Sequence, residues 1–284
     1  MVIDFAFTIG LPAVLFRTIA NAEIGAISPL AVLASFFGAA WTAWLVATLL
    51  TRFVLRREAA DAPSIAMSSV FGNTIMLGLP LSLQTFGSDA AASMALILAA
   101  HAPLLWMTGT VHMAILGGKE AEKEGGIKRV TAALVADLTR NPIIIAVVLA
   151  IVWRMSGLRL PDPLDKTLAL LAQAGVPAAL VALGLTLVRF EIKGQMPTLW
   201  SIVIVKLMLM PAVAWALAVK VFHLPLAAAG VVVVFASVPT GANAFLFAVR
   251  HNGAVNSASG AVALGTLVAA LTVSIALTVM KSGG

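Results

Sequence analysis

The chain has 284 residues, of which 61% are hydrophobic and 11% charged, with a formal net charge of +6. Soluble domains carry roughly 25% charged residues and must solvate most of their surface, so this composition excludes a soluble fold and requires lipid around the chain. The absence of cysteine excludes a disulfide framework or a thiolate metal site, and the basic residues fall in short gaps between apolar runs, which fits membrane topology rather than nucleic-acid binding.

A helix needs about 20 apolar residues to cross a bilayer. The sequence predicts nine spans: 2–20, 28–51, 64–86, 90–116, 142–157, 164–188, 198–221, 226–249 and 255–280. The first residues, MVIDFAFTIG, carry Asp4 and no basic cluster, so they do not read as a cleavable signal. The fifth span is short and follows Asn141-Pro142, with proline suited to a first helical turn. The long hydrophilic stretch 117–140 begins as a charged loop, and Ile127 to Leu138 reads as an amphipathic helix on the membrane surface. No second soluble domain is expected.

Orientation follows from the basic residues on alternate sides. Eleven lie on one side (Arg52, Arg56 and Arg57; Lys119, Lys123, Lys128, Arg129 and Arg140; Arg189 and Lys193; Arg250) and five on the other (Arg154, Arg159, Lys166, Lys220 and Lys281). The richer side is cytoplasmic by the positive-inside rule. Met1 is then inside and Gly284 outside.

Two stretches of the chain recur. Gly10-Leu11-Pro12-Ala13-Val14-Leu15 matches Gly175-Val176-Pro177-Ala178-Ala179-Leu180 at an offset of 165, and Gly87, Ala92, Ser93, Ala95 and Leu98 recur as Gly253, Ala258, Ser259, Ala261 and Leu264 at 166. Five spans separate the copies, an odd number, so the copies point in opposite directions. The expected architecture is an all-α polytopic membrane protein built as an inverted 5+5 repeat, as many transporters are. Residues 1–116 form the first repeat, 117–140 the cytoplasmic loop and 141–284 the second repeat. Nine of ten helices are counted, the first repeat lacking the counterpart of the fifth span, so a helix preceding Met1 is expected.

The third span, SSVFGNTIMLGLPLSLQTFG, is interrupted by Gly72, Gly78 and Pro80, with Asn73 and Thr74 in its middle. The eighth, VVVVFASVPTGANAFLFAVRHNG, is interrupted by Pro239 and Gly241, with Thr240 and Asn243 beside them. Proline removes a backbone hydrogen bond, and broken backbone at membrane depth survives only in protein or against a cavity. One such span is the ordinary kink of a packed helix whose Asn bonds across to a neighbour. Two at matching repeat positions form the sequence pattern of a transporter binding site, in which the breaks cross. Helix N-termini meeting there suit an anion, above all a carboxylate. Asn73, Thr74, Thr240, Gly241 and Asn243 are the expected substrate-binding residues, with Gly72, Gly78, Pro80 and Pro239 as hinges.

Here a resemblance becomes specific. GNTIMLGLPLSLQTFG resembles the fourth-helix signature of the auxin efflux carrier family, SVPTGANAFLFAVRHN the ninth, GLPAVLF the second and Lys206-Leu207-Met208-Leu209-Met210-Pro211 the eighth. The resemblance spans nearly the whole chain. It implies ten helices in two inverted repeats, a scaffold part and a transport part, two crossing broken helices like those of bile-acid symporters, small organic anions such as malonate-like acids as substrates, a bacterial inner-membrane location and a homodimer. No cofactor or metal is implied. In one respect the chain departs from the PIN-type carriers, which have proline immediately before the crossover Asn where this chain has Gly72; glycine still permits a break.

Charged residues within spans are functional candidates by default. Lys206 lies about 13 Å into the seventh span at 1.5 Å per residue. It counters a substrate carboxylate, replaces a coupling cation, anchors at the interface, or packs against a helix C-terminus. Arg17 reads as a snorkelling residue, and His101, beside Pro103, as a buried histidine bonded to a carbonyl or as a proton relay. The spans carry no deep Asp or Glu, which weakens proton or sodium coupling through an intramembrane carboxylate and speaks against the first alternative to an organic-anion carrier, a sodium-coupled carrier of the bile-acid symporter type; a receptor role is the further alternative. There is no HExxH or GxSxG motif and the four histidines are scattered at 101, 112, 223 and 251, so no enzyme active site is expected.

Overall fold

The structure, a computed structural model, describes residues 2–21, 28–116, 139–140, 142–187 and 195–282. The amphipathic helix expected at Ile127–Leu138 lies outside the described residues. Those described are mostly helical: α1 (2–20), α2 (Pro29–Val54), α3 (Ala62–Val70), α4 (74–86), α5 (Ala91–Leu116), α6 (Pro142–Met155), α7 (Asp162–Leu187), α8 (Met196–Val221), α9 (Leu226–Ser237), α10 (Ala242–Arg250) and α11 (Val255–Ser282). The protein is an all-α polytopic membrane protein. Helices α2, α8 and α11 are each long and apolar enough to cross a bilayer alone, as 26 residues rise about 39 Å against a hydrocarbon core of about 30 Å. The apolar run from Thr74 to Leu116 bends at Gly87, whose φ of 62° lies in the left-handed region that glycine tolerates, so it forms two helices.

Local chemistry explains the irregular turns. Leu11, Leu79 and Met210 each donate a backbone N–H five residues back, to Ala6, Thr74 and Val205. In each case the next residue is a proline: Pro12, Pro80 or Pro211. Proline lacks the amide for the regular bond and its ring presses on the carbonyl four residues earlier, so the preceding turn widens to the i→i+5 pattern instead of breaking. At α2, Pro29 fills the first turn while the Ser28 hydroxyl accepts from the Ala31 amide at 3.3 Å, capping the helix.

The helices form two groups. α1 packs against α6 and α7. At the crossing of α1 and α7, a Cβ on Gly10 would stand 2.6 Å from the Gly175 Cα, so the two backbones touch as only glycines permit. In the second group α2 packs against α3, α5, α8 and α9, while α11 packs against α3, α8, α9 and α10. The groups meet where α1 and α6 contact α5 and where the first turn of α4 contacts α7. All nine residues of α3 are buried, as are Ala228 to Ser237 of α9. These two half-helices run through protein rather than lipid, which is what allows each to stop at membrane depth.

Candidate functional site

The helix of residues 62–86 opens at Phe71–Asn73, and that of residues 226–250 at Val238–Gly241. Phe71 (φ −72°, ψ 98°) and Val238 (φ −66°, ψ 149°) are extended. The two extended segments run antiparallel and pair like a fragment of sheet. The Asn73 amide donates to the Pro239 carbonyl at 2.8 Å, the Gly241 amide donates to the Phe71 carbonyl at 2.8 Å, and Gly72 and Thr240 form the bridge between them. Backbone groups freed by the two breaks thus satisfy each other, which removes the several kcal/mol that an unpaired group would cost in a membrane.

Side chains lock the crossing. The Thr240 hydroxyl donates to the Ser68 carbonyl at 2.8 Å, in the last turn of α3. The Asn73 Oδ1 accepts from the Met76 amide at 3.3 Å and so caps α4, leaving the Nδ2 group as a donor. A Cβ at Gly72 would clash, standing 2.8 Å from Val238 Cγ2 and 3.2 Å from Lys206 Nζ, and one at Gly241 would be tight, 3.0 Å from the Gly72 carbonyl oxygen. Gly78 meets the Phe235 ring, with 3.0 Å between a hypothetical Cβ and Cδ1. Pro80 is buried in the next turn of α4.

Lys206 is 1% exposed. Its Nζ donates to the Ala236 carbonyl at 2.7 Å and lies 3.3 Å from Met210 Sδ. Ala236 is the penultimate residue of α9, so the ammonium caps a helix C-terminus and offsets its negative dipole end. Of the readings the sequence left open, the geometry matches the packed partner of a helix end.

Gly72, Asn73, Pro239, Thr240 and Gly241 are therefore within one hydrogen-bonded cluster. Thr74 and Thr240 are both 2% exposed, Asn73 is half-buried, and Ala242 and Asn243 are exposed. The open side of the crossing is the one that carries Asn73 and the first turn of α10. Ser68, Ala236 and Val238 belong to the cluster and carried no sequence signal, because two act through backbone carbonyls and the third through its methyl group. His101 is 3% exposed. Its ring packs on Phe71 and Phe36, at centroid distances of 4.3 and 5.7 Å, and its Nε2 has no partner among the described residues. Arg17 forms a bidentate pair with Asp165 at 2.9 and 3.0 Å, tying α1 to the start of α7 instead of reaching freely to solvent.

Around the crossing the positive groups outweigh the negative ones. Two helix N-termini, at Thr74 and Ala242, and the Lys206 ammonium are positive, against the two helix C-termini at Val70 and Ser237. The described acidic residues are Asp4, Glu58, Asp61, Asp89, Asp162 and Asp165, and neither broken helix (62–86 and 226–250) contains one.

Comparison with known proteins agrees with this architecture. The family described as Membrane transport protein matches residues 1–277. A Rhizobium meliloti (strain 1021) protein named "Putative malonate transporter" is 24% identical over 280 residues, covering 98% of this chain and 86% of its own length. The match reaches across both helix groups and both broken helices, in agreement with the resemblance to the auxin efflux carriers: the chain belongs to the membrane transport protein family, a family of transporters and not of enzymes.

Proposed function

We propose that the protein is a secondary carrier of small organic anions, carboxylates or dicarboxylates of the malonate class, which bind at the crossing of the two broken helices and move by alternating access. The observation that carries this reading is the positive, acid-free environment of the crossing. The N-termini of α4 and α10 each present roughly half a positive charge. The C-termini of α3 and α9 oppose them with about the same charge of the other sign, and the Lys206 ammonium on the α9 end tips the sum to positive, which favours an anion. The Asn73 Nδ2 group and the exposed Asn243 amide supply donors beside those helix ends, the arrangement that holds a substrate carboxylate in broken-helix transporters. The name of the Rhizobium meliloti relative supports the dicarboxylate class.

In this reading α1, α6 and α7 form the scaffold, and the remaining helices form the transport part that rocks against it. The contacts between Gly10 and Gly175 and between Asn73 and Pro239 join residues 165 and 166 apart. Contacts between residues at nearly one offset are what a two-fold axis between inverted repeats would produce, and they support the inverted repeat and the division at 117–140. The inside position of Met1, the outside C-terminus, the inner-membrane location and a homodimer follow from the charge bias and the family resemblance. The experiment is uptake of radiolabelled malonate by proteoliposomes, with competition by mono- and dicarboxylates. Wild type accumulates label and Asn73→Ala does not. Normal uptake by Asn73→Ala would move the site elsewhere, and uptake of none of the carboxylates would overturn the substrate class.

A further inference from the structure

Between the two helix groups, at the end where α1 and α6 finish and α2 and α5 begin, lies a cavity of about 660 Å³, within the range of about 300–1,000 Å³ typical of ligand sites. α1 contributes Ile19, α2 contributes Leu33 and α5 contributes Ala92, Ala95 and Ala99. The alanine spacing of three and four places those residues on one face of α5. Small faces of membrane helices usually let neighbours close to backbone contact, as α1 and α7 do at their glycines. Here the gap stays open, and its wall is almost wholly apolar. A free dicarboxylate would lose its hydration there without compensation.

One polar group stands at the mouth. Arg154 of α6 lines this cavity and also the adjoining polar cleft of about 690 Å³, where Arg159 joins it. Asp162 and Asp165 also line the cleft; Asp165 holds Arg17, whereas Arg154 and Arg159 have no ion-pair partner among the described residues, and the three arginines outnumber the two carboxylates. Met155 at the cavity rim is 82% exposed, and an apolar side chain so exposed on a membrane helix is one that lipid covers. An apolar slot beneath unpaired guanidinium groups, entered from the bilayer, fits an acyl chain below a phosphate, which guanidinium binds in bidentate fashion.

We infer that this cavity is a binding site for an anionic phospholipid, its acyl chain between α1 and α5 and its phosphate on Arg154 and Arg159. Because α1 and α6 lie on one side and α2 and α5 on the other, the bound lipid bridges the two helix groups and influences their relative movement.

The test is native mass spectrometry of the purified full-length protein titrated with phosphatidylglycerol or phosphatidylcholine of identical chains. Phosphatidylglycerol is retained several-fold more strongly by wild type, Arg154→Gln lowers it to the phosphatidylcholine level, and Arg154→Lys restores part of the preference. Ala99→Leu, which fills the slot from its exposed side, reduces retention of both lipids. Equal retention of the two lipids by wild type, or an undiminished preference in Arg154→Gln, overturns the site. Displacement of phosphatidylglycerol by equimolar fatty acid overturns the assignment to a phospholipid. Size-exclusion profiles establish that each variant is folded. Lipid retention is measured without flux, so its failure leaves the carboxylate reading intact, and absence of carboxylate uptake leaves the lipid site intact.

Discussion

Gly10 of α1 and Gly175 of α7 touch backbone to backbone, with 2.6 Å between a Cβ built on Gly10 and the Gly175 Cα. Neither side can yield, because the opposing atoms belong to helix backbones and not to the ends of flexible side chains. Gly10→Ala is therefore expected to force α1 and α7 apart, at the cost of about 1–3 kcal/mol that overpacking typically carries. Thermal unfolding in detergent should show a lower midpoint for Gly10→Ala and for Gly175→Ala. A wild-type midpoint in both would mean that the crossing is looser than the geometry states.

That contact also shows what the sequence discloses and what it hides. The two glycines stand in the matched segments GLPAVL and GVPAAL, so their equivalence is visible in the chain, although their meeting is not. The family resemblance was likewise readable, from GNTIMLGLPLSLQTFG and SVPTGANAFLFAVRHN. Proline and glycine mark where backbone must deviate, and the widened turns before Pro12, Pro80 and Pro211 follow from the missing amide. The partners across the crossing were not readable. Thr240 bonds to the carbonyl of Ser68, 172 residues away, and Lys206 to that of Ala236, 30 residues away. A backbone carbonyl has no residue signature, so only the fold reveals which one faces a given donor.

Asn73 allows stability and anion binding to be separated. Its Oδ1 caps α4 through the Met76 amide, and loss of such a cap costs about 1 kcal/mol. Asn73→Ala should lower both the unfolding midpoint and malonate uptake. Asn73→Asp keeps the acceptor and places a negative charge at a helix N-terminus, which stabilises the helix but repels an anion. The expected result is a wild-type or higher midpoint with uptake reduced at least about tenfold, equivalent to 1.4 kcal/mol. Equal uptake by wild type and Asn73→Asp would remove Asn73 from the anion site.

Asn243 and Thr240 lie close in sequence but differ in exposure, and their variants should differ accordingly. Asn243 is exposed in the first turn of α10, where substitution usually changes stability by less than about 0.5 kcal/mol. Asn243→Ala should leave the midpoint unchanged and raise the apparent KM for uptake, as loss of a binding contact does. The Thr240 hydroxyl is buried and committed to Ser68. Thr240→Val should lower the midpoint by the equivalent of about 0.5–1.5 kcal/mol, while Thr240→Ser retains the bond and behaves as wild type. An altered KM in Thr240→Val with a wild-type midpoint would show that the hydroxyl touches substrate instead of Ser68.

Among the described residues Lys206 is the buried lysine beside the crossing, and its geometry distinguishes two roles. A substrate counter-ion must reach the open side of the crossing, but this ammonium is 1% exposed and is already held by the Ala236 carbonyl and Met210 Sδ. Lys206→Met keeps the length of the side chain and removes the donor. The Ala236 carbonyl is then left without that bond at a helix end, with a penalty of about 1–3 kcal/mol, and the midpoint should fall clearly. Folded Lys206→Met protein should still bind malonate. The long-range field that it loses from the α9 terminus is worth about 0.3–1 kcal/mol, so KM rises by well under tenfold. Thermal unfolding and substrate-concentration series on the same reconstituted sample separate the two effects. A wild-type midpoint with abolished malonate binding would make Lys206 the substrate's charge partner, because a helix-capping ammonium cannot be removed without loss of stability while a ligand-binding one can.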